Sequence, residues 1–148
     1  GEVISAGETY RLEGTVSGGQ IGATVRLPSG FSLTSPDLPR DTYLRGQAPT
    51  FEWSSMGVSG VRVQGQAFKQ GQPSGVAGFS TGERLLFNGL LIPESDSLDL
   101  DFFALERGAA AFYDPTLDGG VGAKAGNISG AEGFFGGAIV AHRRLIAE

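Results

Sequence analysis

The chain has 148 residues, of which 40% are hydrophobic and 18% charged, and its net charge is -5. This length and composition exclude a disordered chain and predict one β-rich domain over residues 1–148 with a sizeable core. The basic residues are scattered, which excludes a patch for nucleic acid. The absence of cysteine excludes disulfides and thiolate sites, and the lack of a long apolar run excludes membrane insertion of this chain.

The first half of the chain carries the period-two patterning of half-buried strands. Alternating runs at residues 8–16 and 21–27 flank Ser17, Gly18 and Gly19, which predicts a hairpin. A short strand is predicted at residues 31–33, and residues 34–41 contain two prolines and no periodicity, which indicates a surface loop. Further strands are predicted where Phe51 alternates with Trp53, and at residues 60–68.

The second half mixes turns and strands. Residues 70–75 form a cluster typical of a turn. Residues 84–93 contain Asn88 and Gly89, a strong hairpin dipeptide, within a run that also fits a strand buried on both faces. Residues 97–105 alternate as a strand, and residues 117–126 are typical of another hairpin turn.

The glycine-rich segment at residues 127–145 allows two interpretations. Ser129 to Glu132 fits a capping box, which would begin a short C-terminal helix. Glycines within that helix would cost about 1 kcal/mol each, which exceeds what the cap returns. We therefore favour a closing strand, with Phe134 or Phe135 buried and both Arg143 and Arg144 facing water.

These elements predict an all-β fold: a single-domain antiparallel barrel of about 8–10 short strands, with a β-sandwich as the alternative. A barrel would leave no exposed edges, and glycines within its strands would suit tight bends. Residues 128–145 resemble, over fewer than twenty positions, the glycine-rich strand of allene oxide cyclase and dirigent-type barrels. The resemblance favours a barrel and transfers no catalytic residue, because residues 130–133 depart from the glycine run of that family.

Candidate catalytic groups are few, because the chain has one histidine, His142. A serine triad would require this histidine as its base, and no nucleophile elbow accompanies it. The polar groups that a small β-barrel enzyme could place in an apolar cavity are Tyr10, Glu52, Tyr113, Glu132 and His142.

Ligand sites have weaker signals. Trp53, Tyr43 and Tyr113 could line a sugar or small-ligand pocket, although aromatic residues at strand positions usually belong to a core. Glu94, Asp96, Asp99 and Asp101 could bind Ca²⁺, but the spacing of a known calcium loop is absent. No phosphate loop or dinucleotide motif occurs, so we expect no cofactor.

The leading hypothesis is therefore a non-catalytic binding or assembly module of a surface, secreted or particle-associated protein. It would act through a protein partner or self-association, using loops such as residues 34–41 and 70–75 or by pairing strands with a neighbour. The alternatives are a small β-barrel enzyme of the cyclase or isomerase type that encloses a hydrophobic substrate, and a carbohydrate-binding module. An extracellular, periplasmic or particle-surface location is the expectation for the leading hypothesis.

Overall fold

A computed structural model describes residues 4–35, 41–89, 92–114, 128–131 and 135–148. Within these ranges the elements in chain order are β1 (Thr9–Val16), β2 (Gly19–Arg26), β3 (Gly30–Ser35), β4 (Thr42–Tyr43), β5 (Thr50–Met56), β6 (Gly60–Lys69), β7 (Gln72–Ser80), β8 (Arg84–Leu86), β9 (Ser97–Leu105), α1 (Arg107–Tyr113) and β10 (Ala138–Ala147). The predicted all-β class is confirmed. None of the helices in the described ranges has the length and apolar character needed to cross a bilayer.

The strands form three sheets rather than one closed cylinder. A five-stranded sheet has the order β4-β10-β9-β6-β7, a three-stranded sheet has the order β3-β5-β8, and β1 and β2 form a separate pair. All neighbours are antiparallel except β4 and β10. The expected barrel does not close, because β7 and β8 end their sheets without pairing with each other.

The opening between β7 and β8 has a local cause in the short link that joins them. The Ser80 hydroxyl accepts the Gly82 N–H at 3.1 Å and donates to the Arg84 carbonyl at 2.8 Å. This turn carries the chain from one sheet to the other, where β8 pairs with β5 instead of continuing beside β7.

The core lies between the inner faces of the five-stranded and three-stranded sheets. Phe51 from β5 packs edge-on against Phe102 from β9, with ring centroids 5.0 Å apart. Both rings are fully buried, as are Leu98, Leu100 and Val63. The alternation predicted for β5, β6 and β9 is therefore confirmed, since their apolar positions are the buried ones.

The predicted first hairpin is confirmed, with one change at its turn. Ser17 and Gly18 both have positive φ angles, 48° and 82°, as a two-residue turn between right-twisted strands requires. Gly19 is the first residue of β2 rather than part of the turn. Gly22 and Ser129 exchange backbone hydrogen bonds of 3.1 and 2.8 Å, which attach residues 128–131 to this hairpin.

The closing segment is a strand, as favoured, and no C-terminal helix forms within residues 138–147. Its burial differs from the prediction in one respect: Arg144 is exposed, whereas Arg143 is half-buried on the inward side. Phe135 is half-buried, and Phe134 and Glu132 lie outside the described residues.

The helix is found where sequence analysis placed none, at Arg107–Tyr113. Glu106 begins it by accepting the Gly108 and Ala109 N–H groups at 2.7 and 2.5 Å. Glutamate is not a preferred N-cap residue, so the usual start signal is missing from the sequence. Ala110 and Ala111 are fully buried, and this packing stabilises a helix too short to persist alone.

Two turn predictions need correction. Only Gln70 and Gly71 of the predicted 70–75 turn are a turn, and residues 72–75 belong to β7. No hairpin forms at Asn88 within the described residues, because the chain leaves β8 at Leu86 and Phe87 turns into the core. The turn predicted at residues 117–126 lies outside the described residues.

Candidate functional site

The structure places the predicted catalytic candidates on separate elements. Tyr10 lies on β1, where its hydroxyl oxygen accepts the Ser5 N–H at 2.6 Å near the surface. Glu52 is exposed on β5, and Tyr113 is the last residue of α1. Glu132 is outside the described residues. Among the groups described, no catalytic set assembles around a shared substrate position.

His142 lies exposed on the outer face of the five-stranded sheet, between two carboxylates. Its Nδ1 lies 3.0 Å from Oδ1 of Asp101, and its Nε2 lies 3.3 Å from Oδ1 of Asp99. The register of β9 and β10 explains this, because Asp101 is directly opposite His142. With a carboxylate at each ring nitrogen, neither nitrogen is available to activate a serine.

The four carboxylates considered for calcium do not converge. Asp96 contacts Arg45 at 2.7 Å and Glu94 contacts Lys69 at 3.4 Å, while Asp99 and Asp101 contact the histidine. In the described ranges, no group of three or more acidic or histidine side chains could hold a metal ion.

Asp96 has a structural task instead. Its Oδ2 accepts the N–H of Gln70 at 2.6 Å, which fixes the β6–β7 turn, and its Oδ1 accepts from Arg45. These two hydrogen bonds stabilise the ionised carboxylate and lower the pKa of Asp96 below its ordinary value. The bond from Gln70 has the larger effect and the bond from Arg45 the smaller one.

The aromatic ligand candidates divide between core and surface. Trp53 and Tyr43 are buried in the hydrophobic core. Tyr113 is 43% exposed, but its ring stacks on Phe79 at 5.5 Å and lies 5.2 Å from the Arg62 guanidinium. Trp53 and Tyr43 therefore present no exposed ring for a sugar-binding platform, and the Tyr113 ring already contacts Phe79 and Arg62.

The Tyr43 hydroxyl closes a buried polar chain. It lies 2.8 Å from the Ser95 carbonyl and 2.6 Å from the Ser95 hydroxyl, which in turn donates to the Ile92 carbonyl at 2.6 Å. Burial of the phenol raises the pKa of Tyr43 above its ordinary value, and the Ser95 hydrogen bond offsets part of that effect.

β7 is an edge strand of the five-stranded sheet that sequence analysis had not identified as a strand. The turn before it, Gln70 and Gly71, has positive φ angles of 51° and 77°, and Lys69 is paired with Gln72 across it. In a two-residue hairpin of this kind the closing residues exchange both backbone hydrogen bonds. Every second residue from Gln72 onward therefore points its N–H and C=O toward β6.

Four residues of β7 consequently direct their backbone polar groups away from β6, at the free edge: Pro73, Gly75, Ala77 and Phe79. Proline has no N–H, so the edge offers three donors and four acceptors. Neither backbone nor side-chain groups of the described residues form hydrogen bonds with these donors.

Hydrogen bonds elsewhere in the sheet support this orientation. The Glu106 N–H donates to the Gly137 carbonyl at 3.4 Å, on the side of β10. By alternation, the backbone N–H and C=O groups of the even-numbered residues of β9 point toward β10, and those of the odd-numbered residues point toward β6. The even-numbered residues of β6 must then face β9. In agreement, the Phe68 carbonyl accepts the Asp96 N–H at 2.7 Å on that side. Odd-numbered residues of β6 are left to bond the even-numbered residues of β7.

The edge of β8 lies across the opening and pairs with no further strand of the described residues, although its Arg84 and Leu86 carbonyls accept from Ser80 and Asn88. Trp53 N–H donates to the Glu83 carbonyl and Phe87 N–H donates to the Pro49 carbonyl, so Leu85 is the residue of β8 that bonds β5. The flanking residues of β8 direct their backbone groups away from β5.

A cleft of about 660 Å³ lies between these two edges. One wall consists of residues 75–79 of β7, and the other of residues 85–89 with Ile92. Its apolar lining includes Val76, Leu85, Phe87 and Ile92. The cleft is narrowest near Gly78, where a Cβ atom would lie 3.0 Å from the side chains of both Leu85 and Phe87.

The free edge of β7 has few of the features that protect natural sheet edges. Such edges usually carry lysine or other charges, bulges or proline. β7 spans nine residues without a charged side chain or a register shift, and Pro73 near its start is the single protective residue. The signal visible in the sequence is an uncharged run over residues 70–82, of which sequence analysis assigned residues 70–75 to a turn.

A shallow trough of about 490 Å³ with a mixed polar and apolar lining lies on the outer face beside this edge. Gln64, Gln66 and Asp101 line it, and the small residues Gly75 and Ala77 leave it open toward β7. The trough and the cleft thus flank the two faces of the same strand.

No protein-family model, curated protein or solved structure matches the chain.

Proposed function

We propose that the chain is a non-catalytic binding or assembly module that accepts an extended segment of a protein on the free edge of β7. The observation that supports this proposal most directly is that the N–H groups of Gly75, Ala77 and Phe79, beside an apolar cleft, have no hydrogen-bond partner among the described residues. An added strand would bond to these groups, and its alternate side chains would point into the cleft and over the trough.

The chemistry of β7 favours a peptide backbone over other ligands. Its side chains at the edge are small or apolar, so affinity would come mainly from main-chain hydrogen bonds. The energetic basis is that an open edge is a template for pairing, which natural proteins block unless it is used.

The experiment uses a displayed library of random peptides, long enough to span β7, selected on the immobilised protein. Selected peptides are then titrated by fluorescence anisotropy against the wild type, Ala77→Pro and Ala77→Ser. Proline removes one outward donor and adds a ring at the edge, so we expect Kd to rise at least about tenfold. Ala77→Ser keeps the N–H and should bind like the wild type.

A structural control checks the strand orientation on which the proposal depends. Ala77→Pro should change the free energy of unfolding by less than about 1 kcal/mol, because that N–H is not used within the sheet. Val76→Pro should lower it by about 3 kcal/mol or more, because its N–H bonds β6. Peptides that bind Ala77→Pro as tightly as the wild type, or a selection that yields no binder dependent on Ala77, would overturn the proposal.

A second candidate uses the same cleft for a small hydrophobic substrate, as in a small β-barrel enzyme. The cleft volume lies within the range of small-molecule sites. Tyr10, Glu52 and His142 do not line it, so any chemistry there would lack the expected polar groups. Displacement of a hydrophobic fluorophore by small apolar compounds, with peptide binding absent, would favour this candidate.

A further inference from the structure

We infer that the segment received by β7 is β7 of a second copy of this chain, paired antiparallel about a two-fold axis at Ala77. The inference rests on the proposed function, which it makes specific by naming the partner. Two five-stranded sheets would then join into one continuous sheet across the dimer.

The register follows from the positions of the outward donors. With the axis at Ala77, this residue pairs with its counterpart in the second copy, and Gly75 pairs with Phe79 of the second copy. All three outward N–H groups of each chain then find a carbonyl acceptor. Pro73 is left beyond the paired region, where its missing N–H has no consequence.

The two neighbouring registers are each less favourable for a different reason. An axis at Val76 would place Phe79 opposite Pro73 of the second copy, so one carbonyl in each chain would face a residue without a donor. An axis at Gly78 would place Gly75 opposite a residue beyond the end of β7. Satisfying every backbone donor therefore excludes an axis at Gly78, and the absence of a proline from the paired positions favours Ala77 over Val76.

The side chains of β7 are compatible with pairing to themselves. On the outer face, Phe79 would lie opposite Gly75 of the second copy, and an added Cβ at Gly75 meets no atom within 4 Å. On the inner face, Val76 would lie opposite Gly78 of the second copy. Each large residue thus faces a glycine, and no like charges oppose each other because β7 carries none.

Sedimentation equilibrium over a range of protein concentrations measures the dimer directly. We expect the wild type and Ala77→Ser to dimerise, and Ala77→Pro to raise the dissociation constant about thirtyfold or more, since two symmetric hydrogen bonds are lost together.

Cysteine cross-linking tests the register, and the chain has no cysteine of its own. At the axis, the Cα atoms of the paired residues would be about 5.5 Å apart, within disulfide range. Under mild oxidation, Ala77→Cys should therefore form a covalent dimer efficiently. Gly75→Cys should not, because four residues of offset separate the two sulfur-bearing positions by roughly 13 Å.

The possible outcomes separate this inference from the proposed function. A chain that stays monomeric while its selected peptides still depend on Ala77 overturns the inference alone. A dimer that Ala77→Pro leaves intact, or equal cross-linking by Ala77→Cys and Gly75→Cys, also overturns it. A monomer that selects no Ala77-dependent peptide overturns both.

Discussion

The buried hydroxyl of Tyr43 allows a quantitative test of the core. In Tyr43→Phe the ring remains, but the donor to Ser95 is lost at a site where Ser95 is only 1% exposed. The Ser95 hydroxyl already gives its hydrogen to the Ile92 carbonyl, so it cannot compensate. Losing a hydrogen bond and leaving a buried acceptor unsatisfied lowers the free energy of unfolding by about 2 kcal/mol.

That loss corresponds to a decrease in Tm of roughly 4–8 °C for a domain of this size. Urea denaturation and thermal melting followed by circular dichroism measure both quantities. Tyr10→Phe is the matched control, because its hydroxyl contacts Ser5 at the surface, and we expect a change within about 0.5 kcal/mol. Equal effects of the two substitutions, or an unchanged Tm for Tyr43→Phe, would refute the reasoning.

The same substitution has a predicted dependence on pH. The pKa of Tyr43 is raised in the folded protein above its ordinary value of 10.0, chiefly by burial. The stabilisation of the neutral phenol is therefore complete below pH 10 and is lost as the pH rises through the folded-state pKa. The stability difference between the wild type and Tyr43→Phe should consequently narrow above pH 10.

Two further substitutions test the turn and the packing of the sheet. Asp96→Asn removes the carboxylate that accepts the Gln70 N–H. Because the pKa of Asp96 is lowered in the folded state, the Tm of the variant should be below that of the wild type at pH 7. This difference in Tm should shrink as the pH falls below 3.8. Gly65→Ala would place a Cβ against the carbonyl oxygen of Asp99 in the adjacent strand, so we expect a loss of several kcal/mol or failure to fold, measured by urea denaturation. Gly30→Ala is its control, since no atom lies within 4 Å of the added Cβ, and its stability should stay near that of the wild type.

Sequence patterning predicted the elements whose two faces differ in polarity. In β5, β6 and β9 the alternating apolar residues are the buried ones. The first hairpin also forms as predicted, but β1 has no buried residue, and Val16 is exposed. The closing strand was also predicted, because the glycines near its start disfavour a helix whatever surrounds them.

Prediction was wrong where local sequence lacked its usual signal. The N-cap of α1 is Glu106, a residue type that does not usually begin a helix. The helix is stable because Ala110 and Ala111 are buried. β7 was assigned in part to a turn because its small residues give no alternation in polarity. The barrel was expected to close, whereas the link after Ser80 directs the chain into the other sheet.

Candidate sites depended even more on tertiary structure. Sequence identified His142 and the acidic residues of β9, but strand register brought His142 between Asp99 and Asp101. It also identified Tyr43 and Trp53 as aromatic candidates, and packing placed both in the core.

The sequence by itself determined the all-β class and the inward faces of the main strands, because alternation is a local property of a pleated chain. Only the tertiary structure decided which strand has a free edge. Whether a strand lies inside or at the end of a sheet depends on partners distant in the chain. Among the described residues, the position of β7 at the end of its sheet leaves its outward N–H groups without a partner.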